Sequence, residues 1–284
     1  MSAQRNAALE NLPAEIRRAI LDVLDYKTLR ALAHASPTFH QQFRLDQRPL
    51  LCGCLQREPG AAAVDASAAY RSSPERFSDE RTRESITKFL KAEWDRRASA
   101  THSISYAELT ENEVVTMAAF HFTVIEPLLE RFTVWALGRL TIETGGSPHH
   151  KPLSTTEKTR VVRAMYRFQL CCNLFHDRRE QFVSMANLDS IDIVKLFFCL
   201  FEPWEVEEMV CIHAFAKAEF DGIFRAIQWD LNQENPRFAN KSRPPTPNGA
   251  FDLDNEGQCM LVSRCFPHYS HSRKQASWAY ILTI

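Results

Sequence analysis

The 284-residue chain is predicted to be an all-α protein, and three observations lead to this class. Apolar residues recur three and four positions apart, as one buried face of a helix requires, in most segments between the loops. No segment longer than a few residues alternates apolar and polar side chains in the manner of a strand. The chain has 8 glycines, a small number for a protein built from hairpins or carrying glycine-rich phosphate loops.

The composition indicates a folded globular protein, with 45% hydrophobic and 24% charged residues. Because 34 Lys and Arg residues balance 35 Asp and Glu residues, the net charge of −1 provides no attraction to nucleic acid or to a membrane surface. The first residues lack the apolar core of a signal peptide, and the longest strongly apolar run, 196–201, is too short to cross a bilayer. A cytoplasmic or nuclear protein is expected, with reduced cysteines, since its 8 cysteines include no CxxC pair.

Segment 9–57 is predicted to contain four short helices. The first runs from about 13 to 24, because Pro13 suits a first helical turn and apolar residues follow at helical spacing. Apolar spacing at Leu29 and Leu32 marks the second helix. Ser36 as N-cap and Pro37 in the first turn mark the third, and Pro49 in the first turn marks the fourth. The next stretch, 58–77, consists largely of small residues and proline without periodic large apolar residues, and is predicted to be a linker.

A larger helical domain is predicted for 78–284, with loops near 141–154 and 233–252. Capping boxes at Thr110–Glu113 and Ser154–Glu157 predict two of its helix starts. Two further helix boundaries are predicted at prolines, which lack the backbone N–H that a helix interior needs. These are Pro127, expected to separate two helices, and Pro203, expected to begin a helix over 203–231 that is roughly 40 Å long.

No motif indicates an enzyme or a cofactor. Phosphate-binding, dinucleotide-binding, zinc-protease and serine-hydrolase motifs are missing. The segment 252–257 resembles the first half of a calcium loop, but Ser263 stands where a bidentate Glu is needed. His149 and His150 have no second ligand pair at fixed spacing. We therefore predict a non-enzymatic protein without metal or cofactor.

Four basic residues share one edge of the helix that follows Ser154. Such an edge would suit an acidic partner, although a solvated face is the more common meaning of this pattern. A solvated face is therefore predicted for Lys158, Arg160, Arg163 and Arg167.

The first helix carries more apolar residues than one buried face needs. At about 100° per residue, an arc of roughly 140° is filled by Leu12, Ile16, Ala19, Ile20, Val23 and Leu24. Leu21 stands about 60° outside this arc, so the helix offers apolar surface in two directions. A unit of roughly 45 residues is also too small to be comfortably stable alone. Whether Leu21 faces a partner or the chain's own second domain is open at this point.

The same segment resembles the F-box, whose helices dock on a Skp-type adaptor of a cullin ubiquitin ligase. The resemblance covers about residues 9 to 50 and depends on L-P-x-E-I at 12–16, followed by leucines and isoleucines at fixed offsets. The whole chain is similar to filamentous-fungal F-box-like proteins through HASPTFHQQF, STTEKTRVVRAMYRFQL, FEPWEVEEMVCIHAF and NPRF. In that family's mode, adaptor-facing or supporting contacts would come from Leu12, Pro13, Ile16, Ile20, Leu21, Leu24, Leu29 and Leu32.

The resemblance implies a substrate receptor: 9–57 binds the Skp-type adaptor, and the domain from 78 onward recruits an unknown protein, with no nucleic acid or membrane partner. HASPTFHQQF stands in place of the family's usual third segment. One alternative is a helical scaffold without a ligase role, in which the same leucines pack on the second domain. A DNA-binding helix-turn-helix over 13–44 is disfavoured, because its basic residues are balanced by Glu15, Asp22 and Asp25.

Overall fold

Helices account for most of the residues that the structure describes. The computed structural model describes residues 7–57, 62–77, 81–98, 109–145, 152–175, 190–231 and 235–236. No strand occurs within these ranges, so the predicted all-α class is confirmed. The predicted loop 233–252 lies almost entirely outside the described residues.

The N-terminal part consists of one helical turn and four short helices. Their bounds are α1 (Ala7–Glu10), α2 (Ala14–Val23), α3 (Tyr26–Ala35), α4 (Pro37–Leu45) and α5 (Gln47–Arg57). Asp25 caps α3 by accepting a hydrogen bond from the Thr28 N–H at 2.8 Å, and Ser36 caps α4 by accepting one from the Phe39 N–H at 3.3 Å. Helix α5 begins two residues before Pro49, which therefore lies inside its first turn rather than at its start.

The predicted linker 58–77 contains a helix instead, α6 (Ala63–Arg71). Its alanines are buried, as are Asp65 and Ser67. Small side chains allow α6 to lie close against a neighbouring helix, so its buried face lacks the large apolar residues from which a helix is usually recognised. The expectation of a loose linker was therefore wrong for residues 63–71.

The next two helices confirm one predicted boundary and correct another. Helix α7 spans Arg83–Ala98, and α8 (Glu111–Phe120) begins at the predicted capping box of Thr110 and Glu113. Pro127 does not separate two helices, because a π-helical turn over His121–Ile125 joins α8 directly to α9 (Glu126–Thr144). Pro127 has no backbone N–H to donate, and the wider turn directly before it accommodates the missing hydrogen bond. Helix α9 extends into the predicted loop as far as Thr144 and is followed by Gly145, whose φ of 62° is left-handed.

In helix α10 (Thr155–Phe175), every residue from Ala164 to Phe175 is buried. It starts at the second predicted capping box, where the Ser154 N–H donates to Glu157 at 2.8 Å and the Glu157 N–H donates to the Ser154 hydroxyl at 3.3 Å. Helices α6 and α12 (Pro203–Leu231) pack along α10. The short helix α11 (Ser190–Leu196) and a 3₁₀ turn at Phe198–Leu200 precede α12, whose bounds match the prediction.

A network of buried charges joins α6, α7, α10 and α12. Arg167, only 4% exposed, donates to Asp65 at 3.1 Å and to Glu205 at 2.7 Å. Arg97 also pairs with Asp65, and burial, followed by repulsion from Arg167, lowers the pKa of Arg97 to about 9. Arg163 lies 3.6 Å from Glu205. The predicted solvated face is therefore wrong for Arg163 and Arg167, because acidic residues distant in sequence cover them.

Candidate protein-binding surface

The apolar residues of α2 lie on two sides of the helix, one buried and one exposed. Leu21 is fully buried and belongs to the hydrophobic core. Ile16 and Val23 are 48% and 75% exposed, and Ala19 between them is exposed as well. Because these three residues are spaced by three and four positions, they share one face of the helix. We call Ile16, Ala19 and Val23 the outer stripe.

The buried direction of α2 is rotated toward Leu21, away from the centre of the apolar arc. Ile20 and Leu24 lie between the two directions and are half-buried. The arc therefore has one edge near the core and the opposite edge at the outer stripe. The sequence left open whether Leu21 faces an adaptor or its own chain. In the structure it packs within its own chain.

The eight residues of the F-box-like pattern differ in how far a partner could reach them. Leu21 and Leu29 are 0% and 1% exposed and support the helices from inside. Four residues are half-buried, namely Leu12, Ile20, Leu24 and Leu32. Pro13 and Ile16 are exposed. Direct contact with a partner is thus restricted to the half-buried and exposed members.

Arginine side chains fix both ends of α2. The Arg17 guanidinium donates to the carbonyl oxygens of Leu12 at 2.6 Å and Glu10 at 3.1 Å, which holds the chain that leads into the helix. At the other end, Arg57 of α5 donates to the Leu24 carbonyl oxygen at 2.9 Å. This bond satisfies one of the carbonyl groups that a helix leaves free after its last turn. The outer stripe is therefore presented on a helix anchored at both ends.

The N-terminal end of helix α3 contacts later parts of the chain. The Tyr26 ring stacks on the Phe122 ring of the π-helical turn, with centroids 4.0 Å apart and planes within 5° of parallel. The Lys27 ammonium lies 3.8 Å from Glu126 and 3.4 Å from Glu130, and Glu126, followed by Glu130, raises the pKa of Lys27. These contacts fix the orientation of the N-terminal helices against α8 and α9.

Val23, like Ala19, is a residue of the outer stripe that the family pattern did not single out. It lies outside the L-P-x-E-I signature, although the helical arc included it, so exposure is the signal that identifies it. Two further apolar residues of the N-terminal helices are exposed, Leu9 at 53% and Leu45 at 75%. A single exposed leucine is common on soluble proteins, whereas several apolar residues along one helix face are informative.

Metal-binding groupings are not found in the part of the chain that the structure describes. There, no three or more His, Cys, Asp or Glu side chains are grouped to hold a metal ion. Cys54 is a buried free thiol whose pKa burial raises, which disfavours the reactive thiolate. His149, His150 and the segment 252–257 lie outside the described residues. Among the described helices, none has the length and apolar character that a membrane span requires.

Comparison with known proteins adds no further assignment. The chain matches no protein family, no curated protein and no solved structure. We therefore infer the function from the sequence pattern and from the geometry of α2.

Proposed function

We propose that this protein is an F-box-like substrate receptor that binds a Skp-type adaptor through α2. The observation that carries the proposal is the outer stripe, an apolar face on a helix anchored at both ends. Apolar side chains repeated along an exposed helix face are typical of a surface that a partner helix covers. The F-box-like pattern then supplies the class of partner, because Ile16 belongs to the pattern and to the stripe.

In this proposal the pattern has two physical roles. Leu21 and Leu29 hold the short helices on the core, while Pro13 and Ile16 contact the adaptor together with Val23, which lies outside the pattern. The later helices would present the substrate, and exposed apolar side chains of α9 and α12 support that part of the proposal. They include Val134, Ile142, Ile223 and Trp229.

The energetics indicate how large the adaptor contact must be. Full burial of Val or Ile contributes about 1.5–3 kcal/mol, so covering the exposed parts of Ile16 and Val23 contributes roughly 2–3 kcal/mol. A micromolar complex requires about 8 kcal/mol net, after association costs of several kcal/mol. The stripe is therefore an anchor within a larger contact, which also has to cover Pro13 and the half-buried Leu12 and Ile20.

The proposal is tested by mixing the full chain with a purified Skp-type adaptor of a filamentous fungus and analysing the mixture by size-exclusion chromatography. We expect a stable complex with the wild type and none with Ile16→Asp/Val23→Asp. Val134→Asp is the matched control, because Val134 and Val23 are both 75% exposed and lie on different helices. Loss of the complex with the control as well, or no complex with the folded wild type, would contradict the proposal.

A helical scaffold without a ligase role is the second candidate. The observation that favours it is the burial of Leu21 and Leu29 in the same core as residues of α8, α10 and α12. The N-terminal helices are thus already stabilised by their own chain and do not need an adaptor to fold. A folded wild type that binds no adaptor in the experiment above would support the scaffold.

A further inference from the structure

A partly open cavity of about 340 Å³ lies between α6, α8, the π-helical turn and α10. Its volume is at the lower end of the range that small-molecule sites occupy. Three alanines, Ala66, Ala69 and Ala119, line it and leave space that larger side chains would fill. Thr123 and Val124 line it from the π-helical turn, a feature that frequently occurs at functional sites.

The cavity wall contains a buried amide that is only half satisfied. Gln169 is 4% exposed, and its Nε2 donates to Asn173 Oδ1 at 2.7 Å. Asn173 cannot turn, because its Nδ2 donates both to the Ala69 carbonyl oxygen at 2.9 Å and to the Ser72 hydroxyl at 3.0 Å. The Gln169 amide is thereby oriented, and its Oε1 accepts no hydrogen bond within the described part of the chain. A buried acceptor without a donor calls for an explanation.

Two tyrosines add polar groups to the same wall. The Tyr70 hydroxyl is buried and has no hydrogen-bond partner among the described residues, and burial raises the pKa of Tyr70. The Tyr166 hydroxyl lies 2.8 Å from Nδ1 of the buried His121. The cavity thus combines an apolar lining with a few fixed polar groups, the composition expected of a site that orients a small ligand.

The charges around the cavity restrict the class of ligand. Among the described residues that line it, Glu75 alone is charged, and its carboxylate is at an exposed position. No cation of the lining is available to hold a carboxylate or phosphate, so an anionic ligand would be disfavoured. The unmatched Gln169 oxygen requires a donor, either a hydroxyl or an N–H group.

We propose that this cavity binds a small, neutral, largely apolar molecule with one hydrogen-bond donor, which is directed at Gln169 Oε1. Because Asn173 holds the Gln169 amide, the position of this oxygen is set before a ligand binds. The site uses none of the residues of the outer stripe, so it stands or fails independently of adaptor binding.

Indole and 1-methylindole are suitable probes, because they have nearly the same shape and only indole has an N–H donor. Isothermal titration calorimetry with the full chain is expected to show saturable binding of indole and about 10-fold weaker binding of 1-methylindole, the effect of one hydrogen bond. In Gln169→Leu the two probes are expected to bind within about 2-fold of each other.

A second pair of variants tests the location without changing the buried amide. Thr123→Phe places a large side chain at the cavity wall, and we expect it to weaken indole binding at least about 10-fold. Thr87→Phe on α7 is the matched control, since Thr87 and Thr123 are both exposed and both donate to the carbonyl four residues earlier. We expect the control to bind indole like the wild type.

Several outcomes would overturn this inference. One is the absence of saturable indole binding up to the solubility limit of indole. The others are equal affinity of the wild type for both probes, and unchanged indole binding in Thr123→Phe. If Gln169→Leu fails to fold, the Thr123→Phe and Thr87→Phe pair, together with the comparison of the two probes on the wild type, still decides the question.

Discussion

Replacing Leu21 by Ala is the substitution that most directly tests the direction of α2. Leu21 is 0% exposed and belongs to the core, so the variant loses three buried carbon atoms and leaves a cavity. Leu→Ala changes at such sites cost about 2–5 kcal/mol, and we expect about 3 kcal/mol here. Ile16→Ala on the same helix is the comparison: Ile16 is 48% exposed, and Ala has the higher helix propensity, so we expect a loss below about 1 kcal/mol.

Urea unfolding followed by far-UV circular dichroism measures both values. The difference in unfolding free energy between the two variants is expected to exceed about 1.5 kcal/mol, with Leu21→Ala the less stable. A Leu21→Ala variant that is as stable as the wild type would refute the reasoning, because Leu21 would then be free to face a partner.

Two further predictions concern buried charged or titratable side chains. Burial, followed by repulsion from Lys217, lowers the pKa of His213 to about 4, so the folded state binds fewer protons than the unfolded state between pH 4 and pH 6.5. His213 is therefore expected to lower the free energy of unfolding by about 2 kcal/mol at pH 5 relative to pH 7.5, as measured by urea unfolding. The His213→Gln variant should lose this contribution to the pH dependence. A variant with the same pH dependence as the wild type would contradict the prediction. Arg167→Met leaves the buried carboxylates of Asp65 and Glu205 without their shared partner and should cost about 3–5 kcal/mol. A single variant with wild-type stability would mean that the network contributes little.

Local signals in the sequence predicted much of the fold. The all-α class followed from helical periodicity, and the starts of α8 and α10 followed from their capping boxes at Thr110 and Ser154. The bounds of α12 followed from Pro203 and the length of the apolar pattern. Each of these features is set by residues within a few positions of one another, which is why the sequence alone was sufficient.

The features that were missed depend on residues distant in sequence. The alanines of α6 form no recognisable periodic pattern in the sequence, and their burial depends on α10, which packs against them. The edge formed by Arg163 and Arg167 appeared solvated because their partner Glu205 belongs to another helix. Pro127 was expected to break a helix, but a wider turn accommodates it. The helical wheel of α2 identified its apolar arc but could not show which edge is buried, since packing with α4 and α5 decides this.

The most direct test of the central claim is the dissociation constant of a purified Skp-type adaptor for the wild type, Val23→Asp and Val134→Asp, measured by isothermal titration calorimetry. If the outer stripe is the adaptor surface, a buried unpaired carboxylate at Val23 should weaken binding at least about 10-fold, while Val134→Asp should match the wild type within about 2-fold. Equal dissociation constants for all three proteins, each shown to be folded, would contradict the claim that α2 binds the adaptor through this face.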